Sequence, residues 1–119
     1  MGTELVALVL LQVKHFLGDF VLQTGNQARN KGTYGHPAGL THAATHAFLT
    51  VPCMLIFGIA PLYIALAAAV ELALHYHQDW LKERVTARFR GSTKVYWAIF
   101  GGDQLLHQLF YVALVVILI

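Results

Sequence analysis

Long apolar segments alternate with short polar stretches along the chain. Four segments each hold about 20 mostly apolar residues, the length that an α-helix needs to cross a bilayer. They lie at approximately 4–23, 40–60, 61–80 and 97–119. The pattern predicts a single transmembrane domain, residues 1–119, with an all-α fold: a polytopic membrane protein built as a bundle of four transmembrane helices.

The composition supports a membrane protein and disfavours an ordinary soluble domain. Hydrophobic residues make up 57% of the chain and charged residues only 12%, whereas soluble domains carry about 25% charged residues. The first residues, MGTEL, include no basic residue and no cleavage pattern follows them, so we expect the first apolar segment to remain in the mature protein.

The basic residues predict the orientation in the membrane. If the chain crosses four times, all eight lie in or near the region on one side of the bilayer. They are Lys14, Arg29, Lys31, Lys82, Arg84, Arg88, Arg90 and Lys94. By the positive-inside rule these polar loops are cytoplasmic and both termini face outward, in the inner (cytoplasmic) membrane. The loops could also attract anionic lipid. Nucleic acid is not an expected partner, because aromatic residues are not interleaved with the basic ones.

Polar residues recur inside the apolar segments at a fixed spacing. The stretches HFLGDF and HYHQDW share a His-aromatic-x-x-Asp-aromatic pattern, and THAATH and GGDQLLH carry further pairs. His15 and Asp19 lie 60 residues before His75 and Asp79, and the other two pairs are offset by 61. They are His42 with His46, and Asp103 with His107. The offsets predict two helix-hairpin repeats related by an axis along the membrane normal.

The spacing within each pair places both side chains on one face of a helix, one turn apart. A four-helix bundle can therefore direct all eight groups towards its axis. Counting residues from the outer ends predicts one level with four histidines, His15, His46, His75 and His107. A second level, one turn closer to the cytoplasm, holds Asp19, His42, Asp79 and Asp103. We expect this site to open to the cytoplasm.

The residue types indicate a metal centre. Neutral imidazole and carboxylate suit zinc, iron and manganese, and polar groups inside membranes commonly mark function. We therefore predict a divalent metal, zinc before iron or manganese, with all eight residues as candidate ligands. Either two ions, or one ion with carboxylates bonded to the far nitrogens of its histidines, would use so many groups. Haem is disfavoured, because ligation by two histidines does not need a level of carboxylates.

Several residues near these pairs are candidates for supporting roles. Glu71 lies one turn before His75 and is either a proton acceptor of the site or a partner for a polar group on a neighbouring helix. Lys14 could reach the interface or pair with an aspartate. Gln23 and Gln104 could donate hydrogen bonds to the aspartates or to a substrate. His77 lies on a different helix face from His75 and is expected at the membrane interface.

The ordered set of motifs resembles a known family. HFLGDFVLQ, a loop lysine, HxxxH, HxxxDxxK and DQxxH resemble the domain of unknown function 3307 family, small multi-spanning membrane proteins of bacteria and their phages. The matching positions are His15, Gly18, Asp19, Gln23, Lys31, His42, His46, His75, Asp79, Lys82, Asp103, Gln104 and His107. The resemblance covers nearly the whole chain and implies no activity. A histidine-pair segment is also loosely similar to membrane proteins described as metal-dependent hydrolases.

Three functions follow from these observations. The first is a metal-dependent hydrolase acting on a lipid or lipid-linked substrate, with Asp19, Asp79 or Asp103 as the catalytic general base. The second is a carrier or sensor of metal ions or protons. The nearly apolar outer halves of the segments argue mildly against it, although a homo-oligomer could provide another path. The third is a non-catalytic bundle whose polar core fixes the helix register.

Overall fold

The computed structural model describes residues 2–119, which fold into helices joined by short connections. The α-helices are α1 Thr3–Phe16, α2 Gly25–Asn30, α3 Pro37–Ile56, α4 Pro61–Arg88 and α5 Thr93–Leu118. A π-helical turn, Leu17–Val21, follows α1 directly. The described residues contain no β-strand. The all-α prediction is confirmed.

The four long helices form a ring in the order α1, α3, α4, α5. Helix α1 contacts α3 and α5, and α4 contacts the same two helices from the opposite side. Short turns join α3 to α4 and α4 to α5, so these neighbours run antiparallel. Gly58 and Gly91 lie in these turns with φ values of +69° and +95°, a conformation that glycine adopts without the steric cost paid by other residues.

Local sequence explains where the helices begin. Thr24 and Gln27 form a reciprocal capping box at the start of α2, with both hydrogen bonds at 3.1 Å. At α3, the His36 ring nitrogen Nδ1 accepts a hydrogen bond from the backbone N–H of Ala38 at 3.1 Å. Helices α3 and α4 both have proline near their first position, where a missing N–H costs nothing.

The helices do not end where the apolar segments end. Helix α4 has 28 residues and continues to Arg88, through much of the stretch KERVTARFRGSTK that the sequence suggested to be a loop. Residues 81–88 include no glycine or proline, so nothing in the local sequence stops the helix before Gly91. The first polar loop also contains a helix, α2, and α3 begins at Pro37, before its predicted span.

Two helices, α3 and α5, are long and apolar enough to cross a membrane by length and composition. Helix α1 has only 14 residues before the π-helical turn, and α4 includes Glu71, His75 and Asp79. Length and composition alone therefore do not confirm the prediction of four spans.

The interior divides into an apolar end and a polar end. At the apolar end, the start of α1 packs against the end of α3, the start of α4 and the end of α5. Its buried residues include Ala7, Leu11, Met54, Ile64 and Leu114. The polar end holds many of the buried polar residues. In the described chain as a whole, twelve polar or charged residues and thirteen apolar residues are buried, an unusually high polar share. Large apolar side chains are meanwhile exposed on every long helix.

Candidate metal centre

All eight residues predicted for the site converge inside the bundle, and none is more than 8% exposed. Helix α1 and its π-helical turn supply two of them, and α3, α4 and α5 supply two each. They are His15, Asp19, His42, His46, His75, Asp79, Asp103 and His107. The predicted convergence is therefore observed. All eight side chains are enclosed by the bundle.

Four histidines form a closed ring across the bundle, one from each long helix. The ring centroids of His46 and His75 are 3.9 Å apart, and those of His75 and His107 are 4.2 Å apart. The centroid of the His15 imidazole lies 5.2 Å from that of His107 and 5.3 Å from that of His46, so the four residues form a closed circle. The predicted level of four histidines is therefore present.

The first cluster of possible ligands surrounds the carboxylate of Asp19. Its Oδ1 atom lies 2.9 Å from Nε2 of His46, 3.1 Å from Nε2 of His42 and 3.8 Å from Nε2 of His75. Its Oδ2 atom lies 3.2 Å from Nε2 of His15. Asp19, His42, His46 and His75 could together hold a metal ion, and we call them the Asp19 group.

The π-helical turn brings this carboxylate into contact with α3. The N–H of Leu22 donates to the carbonyl of Leu17 at 2.7 Å, five residues earlier, as in a π-helix. Within the turn, a Cβ atom on Gly18 would lie 2.4 Å from Cε1 of His46. Only a residue without a side chain allows this approach, so the glycine of HFLGDF positions His46 against Asp19.

The second cluster surrounds Asp79, which lies in a regular stretch of α4. The residue before it is Gln78, where the first cluster has Gly18 before Asp19. Asp79 Oδ1 lies 3.3 Å from Nε2 of His107, and Oδ2 lies 3.3 Å from Nε2 of His75 and 3.2 Å from Nε2 of His42. His75, Asp79 and His107 could hold a metal ion, and we call them the Asp79 group. His75 belongs to both groups.

The separations match those of ligands around one ion. At a zinc–ligand distance of about 2.0–2.1 Å, two tetrahedral ligand atoms lie about 3.3 Å apart. The Nε2 atoms of His42 and His75 are 3.3 Å apart, and their nearest carboxylate oxygens lie at similar distances. Both aspartates approach their histidines at the Nε2 atom of the imidazole ring. Both carboxylates could therefore bind an ion directly, and this arrangement disfavours the alternative of carboxylates bonded to the far nitrogens.

Several nitrogen and oxygen atoms of the buried site residues form no hydrogen bond in the described chain. Within residues 2–119, the Nδ1 atoms of His42, His46 and His75 have no hydrogen-bond partner. The same holds for Oδ2 of Asp79 and Oδ1 of Asp103. Buried polar atoms are normally paired, because an unpaired one costs its full desolvation energy. A shared cation would satisfy the carboxylates that hydrogen bonds leave unpaired.

Charge also favours a cation. The described interior of the site contains three carboxylates, and the nearest ammonium group is Nζ of Lys31, 3.7 Å from Oδ2 of Asp79. Asp19 and Asp103 have only histidines as possible cationic partners within 4.0 Å in the described chain. Buried carboxylates without compensating charge are costly, so either a metal ion or protonated imidazoles must offset them.

Two glutamines support the site, and the sequence indicated one of them. Nε2 of Gln104 donates to Oδ2 of Asp103 at 3.3 Å and to Oδ2 of Asp19 at 3.4 Å, as expected for an amide that flanks the aspartates. The side chain of Gln108 bonds to Nδ1 of His15 at 3.1 Å. Gln108 was missed because it adjoins His107 in sequence, although it lies one turn after Gln104.

A buried ion pair separates the polar site from the apolar end. Lys14 donates to Glu71, and Glu71 also accepts hydrogen bonds from Thr50 and, at 3.0 Å, from the hydroxyl of Tyr111. Glu71 is therefore a partner for groups on neighbouring helices, one of its two predicted roles. The pairing of Lys14 with Glu71 instead of an aspartate, and the roles of Thr50 and Tyr111, were not predicted. The equal depth of two opposite charges on different helices was the available signal.

Three further residues flank the site, and only one of them, Lys31, lies beside a site carboxylate. His77 is exposed and its Nε2 atom bonds to the hydroxyl of Tyr34 at 2.9 Å, consistent with its predicted position on a different helix face. Gln23 bonds to Nζ of Lys31 at 3.1 Å through its side-chain oxygen, and not to an aspartate. Lys31 was expected in a solvated loop but is buried beside Asp79.

Comparison with known proteins places the chain in a family without giving it an activity. Residues 7–119 match the family described as "Protein of unknown function (DUF3307)". No curated protein and no solved structure matches the chain. The match spans nearly the whole length and confirms the resemblance carried by the histidine and aspartate motifs, so the chain belongs to the DUF3307 family.

Proposed function

We propose that this protein is an intramembrane metal-binding protein, and that its centre hydrolyses a lipid or lipid-linked substrate. One observation carries the proposal: imidazole Nε2 atoms and carboxylate oxygens meet at ligand-like distances within an apolar bundle. A divalent cation, zinc before iron or manganese, fits this set of donors.

The outward faces of the helices support a membrane location for all four long helices. On α1, Val9, Val13 and Phe16 are exposed while Lys14 and His15 are buried. On α4, the exposed residues before Asp79 are also largely apolar, including Leu62, Leu66, Val70 and Leu74. A soluble fold shows the opposite distribution. We therefore propose four spans, with α1 and α4 accepted by the bilayer because their charges face the bundle interior.

The arrangement favours a metal centre over a polar core that only fixes helix register. A hydrogen-bonded core would pair its buried donors and acceptors, and a partly satisfied one is worse than an apolar core. Two carboxylates of the site, those of Asp79 and Asp103, each have an oxygen without a hydrogen-bond partner in the described chain.

The residues suggest distinct chemical roles. A bound divalent cation would supply Lewis-acid polarisation of a phosphoryl or carbonyl oxygen. Asp103 belongs to neither metal group, and its Oδ1 atom has no hydrogen-bond partner among the described residues. It is the best placed of the three candidate aspartates to accept a proton from an attacking water. Gln104, which bonds to both Asp19 and Asp103, would hold the two carboxylates in register.

Transport of an ion across the bundle is less well supported. The apolar end is filled by buried side chains, including Leu11, Met54 and Leu114. An ion that leaves the histidine ring in that direction would meet the Lys14–Glu71 pair and then a packed cluster whose only polar side-chain groups are the thiol of Cys53 and the hydroxyl of Tyr111 among the described residues. Such a path would cost an ion most of its solvation.

Metal content and stability test the proposal directly. Detergent-purified protein should contain a stoichiometric divalent metal by elemental analysis, and a chelator should lower its thermal unfolding temperature. Asp19→Asn keeps the shape of the side chain but removes its charge, and we expect metal affinity to fall by at least about 100-fold while the bundle still folds. Binding should weaken below about pH 6.5, because protonated imidazole cannot be a ligand. A wild-type protein that carries no metal and is indifferent to chelator would leave the polar-core function standing.

Labelling of single cysteines tests the membrane topology separately, after the native Cys53 is replaced by alanine. Cysteines at Thr33 and Ser92, in the two polar connections, should be protected from an impermeant thiol reagent in intact cells. A cysteine at Gly2 should react, because both termini are expected outside the cytoplasm. The reverse labelling pattern would place the polar end of the bundle outside and would contradict a substrate that enters from the cytoplasmic leaflet.

A further inference from the structure

A groove between α4 and α5 borders the site. It has a volume of about 220 Å³, and its walls are formed mainly by Leu81, Val85, Ile99 and Leu106. Its polar lining comes from Gln78, Lys82 and Asp103. Asp103 is therefore the residue of the eight-membered site that also lines this lateral groove.

The composition of the groove indicates what it could hold. Aliphatic walls exclude polar ligands, while Lys82 supplies one positive charge and Asp103 leads to the metal groups. Pockets for complete small molecules usually have volumes of about 300–1,000 Å³, so this smaller groove suits one segment of hydrocarbon chain. A polar head group would lie beside the two charged residues of the lining, Lys82 and Asp103.

We propose that this groove admits the hydrocarbon chain of a lipid that carries an anionic phosphate head group and presents that phosphate beside Asp103. The inference rests on the proposed function, because the carboxylate of Asp103 would repel a phosphate unless a cation were bound nearby. Nζ of Lys82 bonds to Glu83 at 2.5 Å, so the lysine would have to exchange this surface partner for the phosphate. The groove lies on the lipid-facing side under the proposed topology, and the substrate would enter laterally.

Two adjacent glycines of α5 provide a matched pair of variants. Gly102 lines the groove and Gly101 does not. A Cβ atom added at either position would meet nothing within 4 Å, so both positions have open space at the start of a side chain. Gly102→Leu should fill the groove, whereas Gly101→Leu adds the same side chain one position away.

The probe is phosphatidic acid with a diazirine in one acyl chain, in nanodiscs of phosphatidylcholine. We expect photolabelling of the wild type to map by mass spectrometry to the groove walls, and Gly102→Leu to reduce it about tenfold, the effect of displacing about two methylene groups. Gly101→Leu should label like the wild type. Equal labelling of both variants would overturn the proposal, provided that their thermal unfolding shows that both fold.

Head-group and metal arms separate this inference from the proposed function. Labelling by phosphatidic acid should exceed labelling by the matching phosphatidylcholine probe, fall in Lys82→Met, and fall in chelator. Absence of any head-group preference would show ordinary lipid contact and would overturn the inference. Elemental analysis of the same samples reports on the metal centre. Bound metal without groove labelling refutes the lipid site alone, whereas labelling without bound metal refutes the metal centre and the phosphate placement beside Asp103.

Discussion

The Asp19 group and the Asp79 group are built from the same pattern but differ in closeness and number of donors. In each half of the chain, an aspartate approaches the histidine four residues earlier, Asp19 at 3.2 Å and Asp79 at 3.3 Å. Each also approaches a histidine from the neighbouring helix, His46 at 2.9 Å and His107 at 3.3 Å. The contact to the neighbouring helix is therefore shorter for Asp19, although Asp19 lies farther from the shared His75, at 3.8 Å against 3.3 Å for Asp79.

The backbone accounts for part of this difference. Asp19 lies in a π-helical turn preceded by Gly18, whose missing side chain leaves room for the His46 ring. Asp79 lies in a regular α-helix, and the residue at the position equivalent to Gly18 is Gln78. The comparison shows that the His-x-x-x-Asp spacing alone does not set ligand distances. A local irregularity of the helix decides how closely the two helices approach.

The donors differ as well. His42 lies between the two aspartates, 3.1 Å from Asp19 and 3.2 Å from Asp79, but the equivalent position in the second half is Asp103. The Asp19 group thus includes three imidazoles and the Asp79 group two. We infer that the Asp19 group would bind zinc more tightly, and that the Asp79 group and Asp103 form the side of the centre at which a substrate could react.

The largest expected effect comes from the histidine that both groups share. His75→Ala removes a possible ligand from each group, so metal content should fall by at least about 100-fold in affinity. His77→Ala is the matched control on the same helix, because that side chain is exposed. Elemental analysis and titration with a zinc indicator measure the change. If His75→Ala kept the metal content of the wild type, His75 would not be a shared ligand, and the description of two groups joined by it would be wrong.

The next prediction compares the two aspartates directly. Asp79→Asn should lower metal affinity by about 10-fold, less than Asp19→Asn, because the Asp79 group has fewer imidazoles and a longer contact to the neighbouring helix. Both variants keep the size of the side chain, so differences in packing are small. Parallel zinc titrations of the two proteins test the ranking. A larger loss in Asp79→Asn would reverse the assignment of the tighter group.

The glycine of the first half gives a test that leaves every ligand in place. Gly18→Ala would place a methyl group within 2.4 Å of the His46 ring, and relieving such overpacking typically costs about 1–3 kcal/mol. We expect about tenfold weaker metal binding together with a lower unfolding temperature. Gly101→Ala is the control, because its Cβ meets nothing within 4 Å. Unchanged binding and stability in Gly18→Ala would show that the close approach has no role.

The sequence predicted the helical class and the convergence of the eight site residues for simple geometric reasons. An i,i+4 pair must share a helix face, and the 60- and 61-residue offsets place equivalent pairs at equal depth. The π-helical turn was not predicted, because hydrophobic periodicity does not distinguish a single wide turn from an α-helical one. Gly18 in the middle of an apolar helix was the available signal, since glycine there is costly without a packing reason.

Other features depend on contacts between distant parts of the chain. Neither the Lys14–Glu71 pair nor the burial of Lys31 beside Asp79 follows from local pattern, because each joins residues at least 48 positions apart. The extent of α4 past residue 80 was also missed, because the apolar stretch ends there although the helix-forming sequence does not. Apolar length predicts the extent of a membrane segment and not the end of a helix.

The smallest expected effect concerns the one ammonium group near the site, and its sign is opposite to the others. Nζ of Lys31 lies 3.7 Å from Oδ2 of Asp79, whereas no lysine or arginine in the described chain lies within 4.0 Å of the Asp19 carboxylate. Lys31 therefore competes with a metal ion for Asp79. Lys31→Met keeps most of the aliphatic stem and removes the charge.

We expect this change to raise metal affinity roughly threefold to tenfold, since interactions of partly screened charges are worth about 1 kcal/mol. Arg29→Met, at an exposed position two residues earlier, removes the same charge from the surface and should alter affinity little. Zinc titration at low and high salt measures both variants. A loss of affinity in Lys31→Met would mean that the ammonium group holds Asp79 in its ligand position, and that the two halves are closer in strength than their contacts indicate.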